Sequence, residues 1–114
     1  MSPTQHPAPV AEPVALFKAL ADPVRLDLLI RIIDVPEMSC TQLVNDAEVS
    51  ASTVSYHMKL LKAAGLIGVR KEGRNFFYAA RADALGHLQD LFAELAATCR
   101  KNKTEFTGET KHSA

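Results

Sequence analysis

Between Val49 and Ile67 the chain reads VSASTVSYHMKLLKAAGLI, one helix with two opposed surfaces. At about 100° per residue, Val54, Met58 and Leu61 share a stripe, the i, i+4, i+7 spacing of a buried face. Ser52, Ser55, Lys59 and Lys62 cluster on the far side, with Tyr56 at the edge of the cluster. A solvated helix mixes Glu with Lys on its outer face, because i, i+4 ion pairs support it. This face offers short hydroxyls, one aromatic ring and cations, and no carboxylate. Such a surface suits a polyanion. Ser50 is placed to cap the helix and Gly65 to end it.

The flanking sequence limits what this helix can belong to. Upstream, a helix is predicted from about Glu12 to Ala21 with Leu16, Phe17 and Leu20 as its apolar stripe. A second follows over ADPVRLDLLIRIID. Asp22 is its N-cap, Pro23 occupies the first helical position, and Leu26, Leu29, Ile30 and Ile33 form its stripe. Pro36 closes it. SCTQLVNDAE gives a short helix capped by Ser39, with Leu43 and Val44 inward. Downstream, LIGVRK and NFFYAAR read as two strands joined by EGR, where Gly73 supplies the positive φ of a tight hairpin. Phe76, Phe77 and Tyr78 are expected mainly in the core. Asp83 is placed to cap a last helix on which Leu85, Leu88, Phe92, Leu95 and Cys99 recur at three- and four-residue steps. The order is α-α-α-α-β-β-α: mainly α with a small β-hairpin, a winged helix-turn-helix. Helices of this diameter fit the major groove, the groove in which all four base pairs are distinguishable.

A chain of 114 residues suits one domain. Residues 1–11, with Pro3, Pro7 and Pro9, read as a flexible arm, residues 12–101 as the DNA-binding and dimerisation domain, and residues 102–114 as a flexible polar tail. Formal net charge is zero, but it is unevenly placed. From Ser50 to Arg81, six cations (Lys59, Lys62, Arg70, Lys71, Arg74 and Arg81) face a single acid, Glu72. A basic segment on a neutral chain is a binding footprint rather than a general affinity for anions. No run is long and apolar enough to span a membrane and no signal peptide is visible, so the expectation is a cytoplasmic protein. Cys40 and Cys99 form no disulfide framework, and each reads as a small buried hydrophobe. No nucleophile elbow, phosphate loop or paired-His motif is present, which argues against an enzyme.

In LFKALADPVRLDLL (16–29), SASTVSYHMKLLKAAGLI (50–67) and VRKEGRNFFY (69–78), the chain resembles the ArsR/SmtB family of bacterial winged-helix regulators. The resemblance covers roughly Val14 to Leu95. It implies a homodimer held by the first and last helices, bound to an inverted-repeat operator as a repressor, and in many members released by a metal or metalloid. Two departures stand out. EMSCTQL (37–43) has one cysteine where thiolate sensors carry a C-V-C pattern. On the last helix, Leu85, Thr98 and Lys101 stand where the ligands of zinc, cobalt and nickel sensors belong. Length and sequence style are also similar to a nickel-related streptomycete member of the family.

The candidate DNA-binding residues are therefore Ser50, Ser52, Thr53, Ser55, Tyr56, His57, Lys59, Lys62, Arg70, Lys71, Arg74 and Asn75. Among them Ser52, Ser55 and Tyr56 are assigned to base edges, and Thr53, Lys59, Lys62, Arg70, Lys71 and Arg74 to phosphates. Ser50 reads more as a cap than as a base contact. His57, flanked by the core stripe, fits a hydrogen bond within the domain as well as it fits a phosphate. Leu16, Phe17, Leu20, Leu85, Leu88, Leu91, Phe92, Leu95 and Cys99 are the candidate dimer interface. His87, Asp90 and Glu94 share one side of the last helix, an incomplete, oxygen-rich set for nickel or zinc, and a solvated face accounts for them better. His6 and His112, near the termini, could complete such a site only after ordering. Two further readings compete: a metal-responsive regulator that needs a partner protein or ordered termini, and a winged helix whose hairpin binds a protein. The charge asymmetry favours DNA.

Overall fold

The computed structural model describes residues 9–109, with side chains through Lys103. The elements run α1 (Pro13–Leu20), α2 (Pro23–Ile33), β1 (Met38–Ser39), α3 (Cys40–Ala47), α4 (Ala51–Ala63), β2 (Ile67–Glu72), β3 (Asn75–Ala80) and α5 (Ala82–Glu109). The strands form one antiparallel sheet in the order β1-β3-β2. This is the winged helix-turn-helix read from the sequence, with one strand more. β1 is two residues long and pairs Met38 with Tyr78 and Ser39 with Phe77, too short to leave a periodicity in the sequence.

Local chemistry sets most boundaries. The Asp22 carboxylate accepts from the backbone N–H groups of Val24 and Arg25, each at 2.9 Å, and so starts α2 behind Pro23. That donation by the Arg25 N–H holds the Asp22 carboxyl below the ordinary carboxylate range. Ser39 and Ser50 cap α3 and α4, accepting from the N–H groups of Gln42 and Thr53 at 3.1 Å. Gly73 takes φ +64° in the hairpin turn. Gly65 is more constrained. At φ +80°, a Cβ there would stand 2.8 Å from the Pro9 carbonyl oxygen. The Ala11 N–H donates to the Ala64 carbonyl at 3.1 Å, so the last residues of the expected arm are pinned to the end of α4. Residues 1–8, including His6, lie outside the described residues.

Leu16, Leu28, Leu29, Ile32, Leu43, Val54, Leu61, Leu66 and Ile67 form the innermost core. Each such side chain contributes roughly 1.5–3 kcal/mol through burial. Several expectations are corrected here. The buried stripe of α2 is Arg25, Leu28, Leu29 and Ile32, while Leu26, Ile30 and Ile33 are exposed. Both stripes of PVRLDLLIRII are apolar enough to be the inner one, and the true one contains an arginine. Phe76 is exposed: it shares a face of β3 with Tyr78, but it lies one residue from the hairpin tip, beyond the reach of the core that buries Tyr78. Asp83 sits inside the first turn of α5 rather than at its cap, paired with Arg81 at 2.7 Å. The last helix breaks near its expected end, with non-helical dihedrals at Lys103 (φ −128°, ψ +25°), and helical backbone resumes beyond the kink as far as Glu109. Residues 110–114, with His112, lie outside the described residues.

Candidate nucleic-acid interface

α3 and α4 form the helix-turn-helix, with the αL residue Glu48 (φ +57°) closing α3 and Ser50 opening α4. Val54, Met58 and Leu61 anchor α4 in the core. This fixes which side faces outward. Ser52, Ser55, Tyr56, Lys59 and Lys62 are all exposed. Ser52, Ser55, Tyr56 and Lys59 fall within about 100° of the helix circumference, opposite the anchoring stripe. Tyr56 is 59% exposed, with its ring edge-on to His57 at 5.1 Å between centroids. The Ser50 hydroxyl lies within hydrogen-bonding distance of the Ser52 and Thr53 hydroxyls, at 3.2 and 2.8 Å. The N-terminus of α4 thus presents a cluster of hydroxyls above N–H groups that point outward, a surface suited to phosphate.

The hairpin sets out a second row of cations. Lys71 and Arg74 are exposed at its tip beside Asn75, and the Lys71 ammonium stands over the Phe76 ring at 5.6 Å from its centre. Phe76 therefore serves as a platform for a cation on the wing. Arg70 is placed differently from its assignment. Its guanidinium donates to both carboxylate oxygens of Glu37 at 2.9 and 2.8 Å and to Glu72 at 2.8 Å, and it lies over Phe77 at 4.4 Å. These bonds drive the Arg70 pKa further up and hold the Glu37 carboxyl below its ordinary range. Glu37 therefore contributes to stability at any pH above the ordinary carboxylate range, and the contribution is lost as pH falls through its lowered pKa. Two acids already engage this cation, so Arg70 fastens the wing to the start of β1 rather than presenting free charge. The partners are 33 residues apart in sequence, and no local pattern announces them.

His57 is 7% exposed and faces into the domain, where its Nδ1 lies 3.2 Å from an Nη of Arg25. It does not join the outer face. The reason is angular: one residue past Tyr56, position 57 turns toward the Val54–Leu61 stripe.

The candidate dimer residues divide into two sets. Leu16 is fully buried within its own chain and Leu88 nearly so, while Leu20, Leu85 and Leu91 are half-buried. Leu16 and Leu88 belong to the core and leave little surface for a partner. Phe17, Phe92, Leu95 and Cys99 are exposed, and Val14, which the sequence reading missed, joins them on α1. The Phe17 and Phe92 rings meet edge to face at 5.8 Å, joining α1 and α5 into one apolar surface. From Phe92 to Lys103 every residue of α5 is exposed. His87, Asp90 and Glu94 are exposed, and no group of three or more His, Cys, Asp or Glu side chains is arranged to hold a metal among the described residues. Among those residues, no helix is long and apolar enough to cross a membrane.

Comparison with known proteins agrees with this architecture. Residues 20–70 match a family described as a helix-turn-helix domain. The chain is 32% identical over 93 residues to the transcriptional activator HlyU of Vibrio cholerae, a match covering 82% of this chain and 83% of that one. It is 35% identical over 80 residues to the transcriptional repressor SmtB homolog of a Synechocystis species, covering 70% of this chain and 58% of the other. Among solved structures, an ArsR-like transcriptional regulator from Rhodococcus superposes with a TM-score of 0.72 at 23% identity, over 83% of this chain and 89% of that one. With this fold, this helix-turn-helix and relatives matched over most of their length, the chain belongs to the ArsR/SmtB family of winged helix-turn-helix transcriptional regulators.

Proposed function

We propose that residues 12–101 act as a homodimeric, sequence-specific repressor that reads an inverted-repeat operator in the major groove through α4. The observation that carries this reading is the outer face of α4. Ser52, Ser55, Tyr56 and Lys59 lie in one exposed arc with no carboxylate among them. Ser52, Ser55 and Tyr56 contact base edges. Thr53, Lys59 and Lys62 on α4, and Lys71 and Arg74 on the wing, contact phosphates, with Asn75 beside them. A repressor of this kind would act by occupying a promoter and excluding polymerase. A wing that bound protein instead would have no use for the hydroxyls and cations of α4.

Lys59→Ala tests the electrostatic part. Affinity should fall on all duplexes alike, and the slope of log affinity against log salt should flatten by about one unit. An electrophoretic shift series with unchanged affinity and slope would remove Lys59 from the phosphate contacts.

The effector is a separate matter. The sensor cysteine pair and the paired ligands of the last helix are broken in this sequence, and His87, Asp90 and Glu94 make an incomplete set. The isolated chain is thus expected to hold no tight, preformed nickel or zinc site, so that a metal response would require ordered termini, a partner protein or cysteine oxidation. Calorimetric titration with zinc and with nickel should give no submicromolar binding at a defined stoichiometry. Such binding would overturn this expectation.

A further inference from the structure

The DNA-facing surface makes no use of Arg25, yet its guanidinium stands where three helices meet. Arg25 lies in the first turn of α2 and is 9% exposed. Its Nε donates to the carbonyl of Ala19, and one Nη donates to the carbonyl of Lys18 at 3.4 Å. Both acceptors belong to the last turn of α1, where a helix runs out of its own i+4 donors; the Lys18 carbonyl also accepts from the Ala21 N–H at 3.2 Å. The other Nη lies 3.2 Å from Nδ1 of His57, on the inner side of α4. Among the described residues, no carboxylate forms an ion pair with Arg25. An arginine has no acceptor to offer, so Nδ1 must present its lone pair and Nε2 must carry the imidazole proton. The bond therefore fixes both the tautomer and the tilt of the ring. That ring in turn stands edge-on to Tyr56 at 5.1 Å, and Tyr56 is on the outer face.

We propose that Arg25 is a positioning residue for DNA recognition. Through His57 it sets the rotation of α4 relative to the end of α1, and so the angle at which Tyr56, Ser55 and Ser52 meet base edges. This rests on the reading of α4 as the DNA-contacting helix. Packing alone does not supply this constraint. The apolar stripe of α4 resists withdrawal from the core, but a stripe of Val, Met and Leu tolerates a small rotation. A planar guanidinium holding acceptors on two helices does not, because its donors lie in a fixed fork. The arrangement also explains why an arginine occupies the inner stripe of α2. A lysine there would carry its donors on a single nitrogen and on a flexible stem, without the spread, rigid fork that fixes acceptors on two helices at once.

The test uses the full chain and two probes: a duplex selected by the wild-type protein from a randomised pool, and a random-sequence duplex of equal length. Four variants are compared: Arg25→Lys, His57→Leu, His57→Asn and the double variant R25K/H57L. Asn places an acceptor oxygen near the position of Nδ1, whereas Leu removes the acceptor. R25K and H57L should each lower the ratio of selected to random binding about tenfold, or ~1.4 kcal/mol, with the salt slope unchanged. H57N should retain discrimination within about threefold, and the double variant should be no worse than either single one, since both break the same bond. A purely structural Arg25 would lower the melting temperature and leave the folded fraction with wild-type discrimination. That result, or additive losses in the double variant, overturns the proposal. If R25K does not fold, the contrast between H57L and H57N decides. Equal losses for H57L on both probes, with a flatter salt slope, would make His57 a phosphate contact and also overturn it. Failure of the wild type to select any sequence would instead sink the base-reading function itself.

Discussion

Phe92→Glu should convert the protein from a dimer to a monomer and abolish tight binding to a two-half-site duplex in the same step. Phe92 is 55% exposed on α5, edge to face with Phe17 of α1, and Val14 and Leu95 on the same two helices are exposed as well. A two-fold interface uses each residue twice. Removing two phenylalanines from a buried seam costs at least ~3 kcal/mol, more than a hundredfold in the dimerisation constant. Introducing two carboxylates that would have to be buried without partners adds to that. One winged helix reaches one half-site, and its specificity is useful when two are held about one DNA turn apart, roughly 34 Å. Light scattering after gel filtration should give about twice the 12.4 kDa chain mass for the wild type and that single mass for the variant. The side chain lies outside the monomer core, so the variant should remain folded by circular dichroism. A dimeric F92E protein, or a monomeric wild type that still binds a palindrome tightly, would refute the interface.

That interface also marks what the sequence can and cannot tell. The three- and four-residue recurrence on α5 identified an apolar seam, because helical periodicity is a local property. It could not divide the seam between the chain's own core and a partner. Leu16 and Leu88 fell to the core and Phe17, Phe92 and Leu95 to the surface through the docking of α1 and α5, which no window of ten residues contains. The caps Asp22, Ser39 and Ser50 and the turn glycine Gly73 were legible for the same local reason. Each satisfies or frees backbone groups within three residues of itself.

The largest losses are contacts between distant residues. From sequence alone Arg70 reads as a phosphate contact, because its partner Glu37 is 33 residues away. His57 fits two roles equally in the sequence, because its partner Arg25 is 32 residues away. The α2 stripe was read one residue out of phase because a buried arginine looks wrong until three acceptors are seen around it. The outer face of α4 escaped this difficulty. Its evidence is an absence of acids over an arc of one helix, and both the arc and the absence are visible in thirteen consecutive residues.

Tyr56 is where that face should be most sensitive. A large aromatic side chain 59% exposed on an otherwise short-chained surface is poorly explained by the monomer. Held edge-on against His57, it has little freedom to lose on binding, so contact with a base edge or thymine methyl costs little ordering entropy. Losing the reading of one base pair in a site costs about 1–3 kcal/mol. Tyr56→Ala should therefore weaken binding to the selected duplex roughly 10- to 100-fold. Binding to random DNA, which we assign to Lys59, Lys62, Lys71 and Arg74, should change by less than about threefold, because phosphate contacts position the protein without reading sequence. Ser55→Ala should show the same asymmetry at smaller amplitude, since it removes one hydroxyl rather than a ring. Thermal stability should stay within ~0.5 kcal/mol of wild type, as expected for an exposed site. The decisive comparison is the ratio of the two affinities at one salt concentration. If Tyr56→Ala lowers both equally, the ring is a backbone contact, and base reading passes to Ser52 and Ser55.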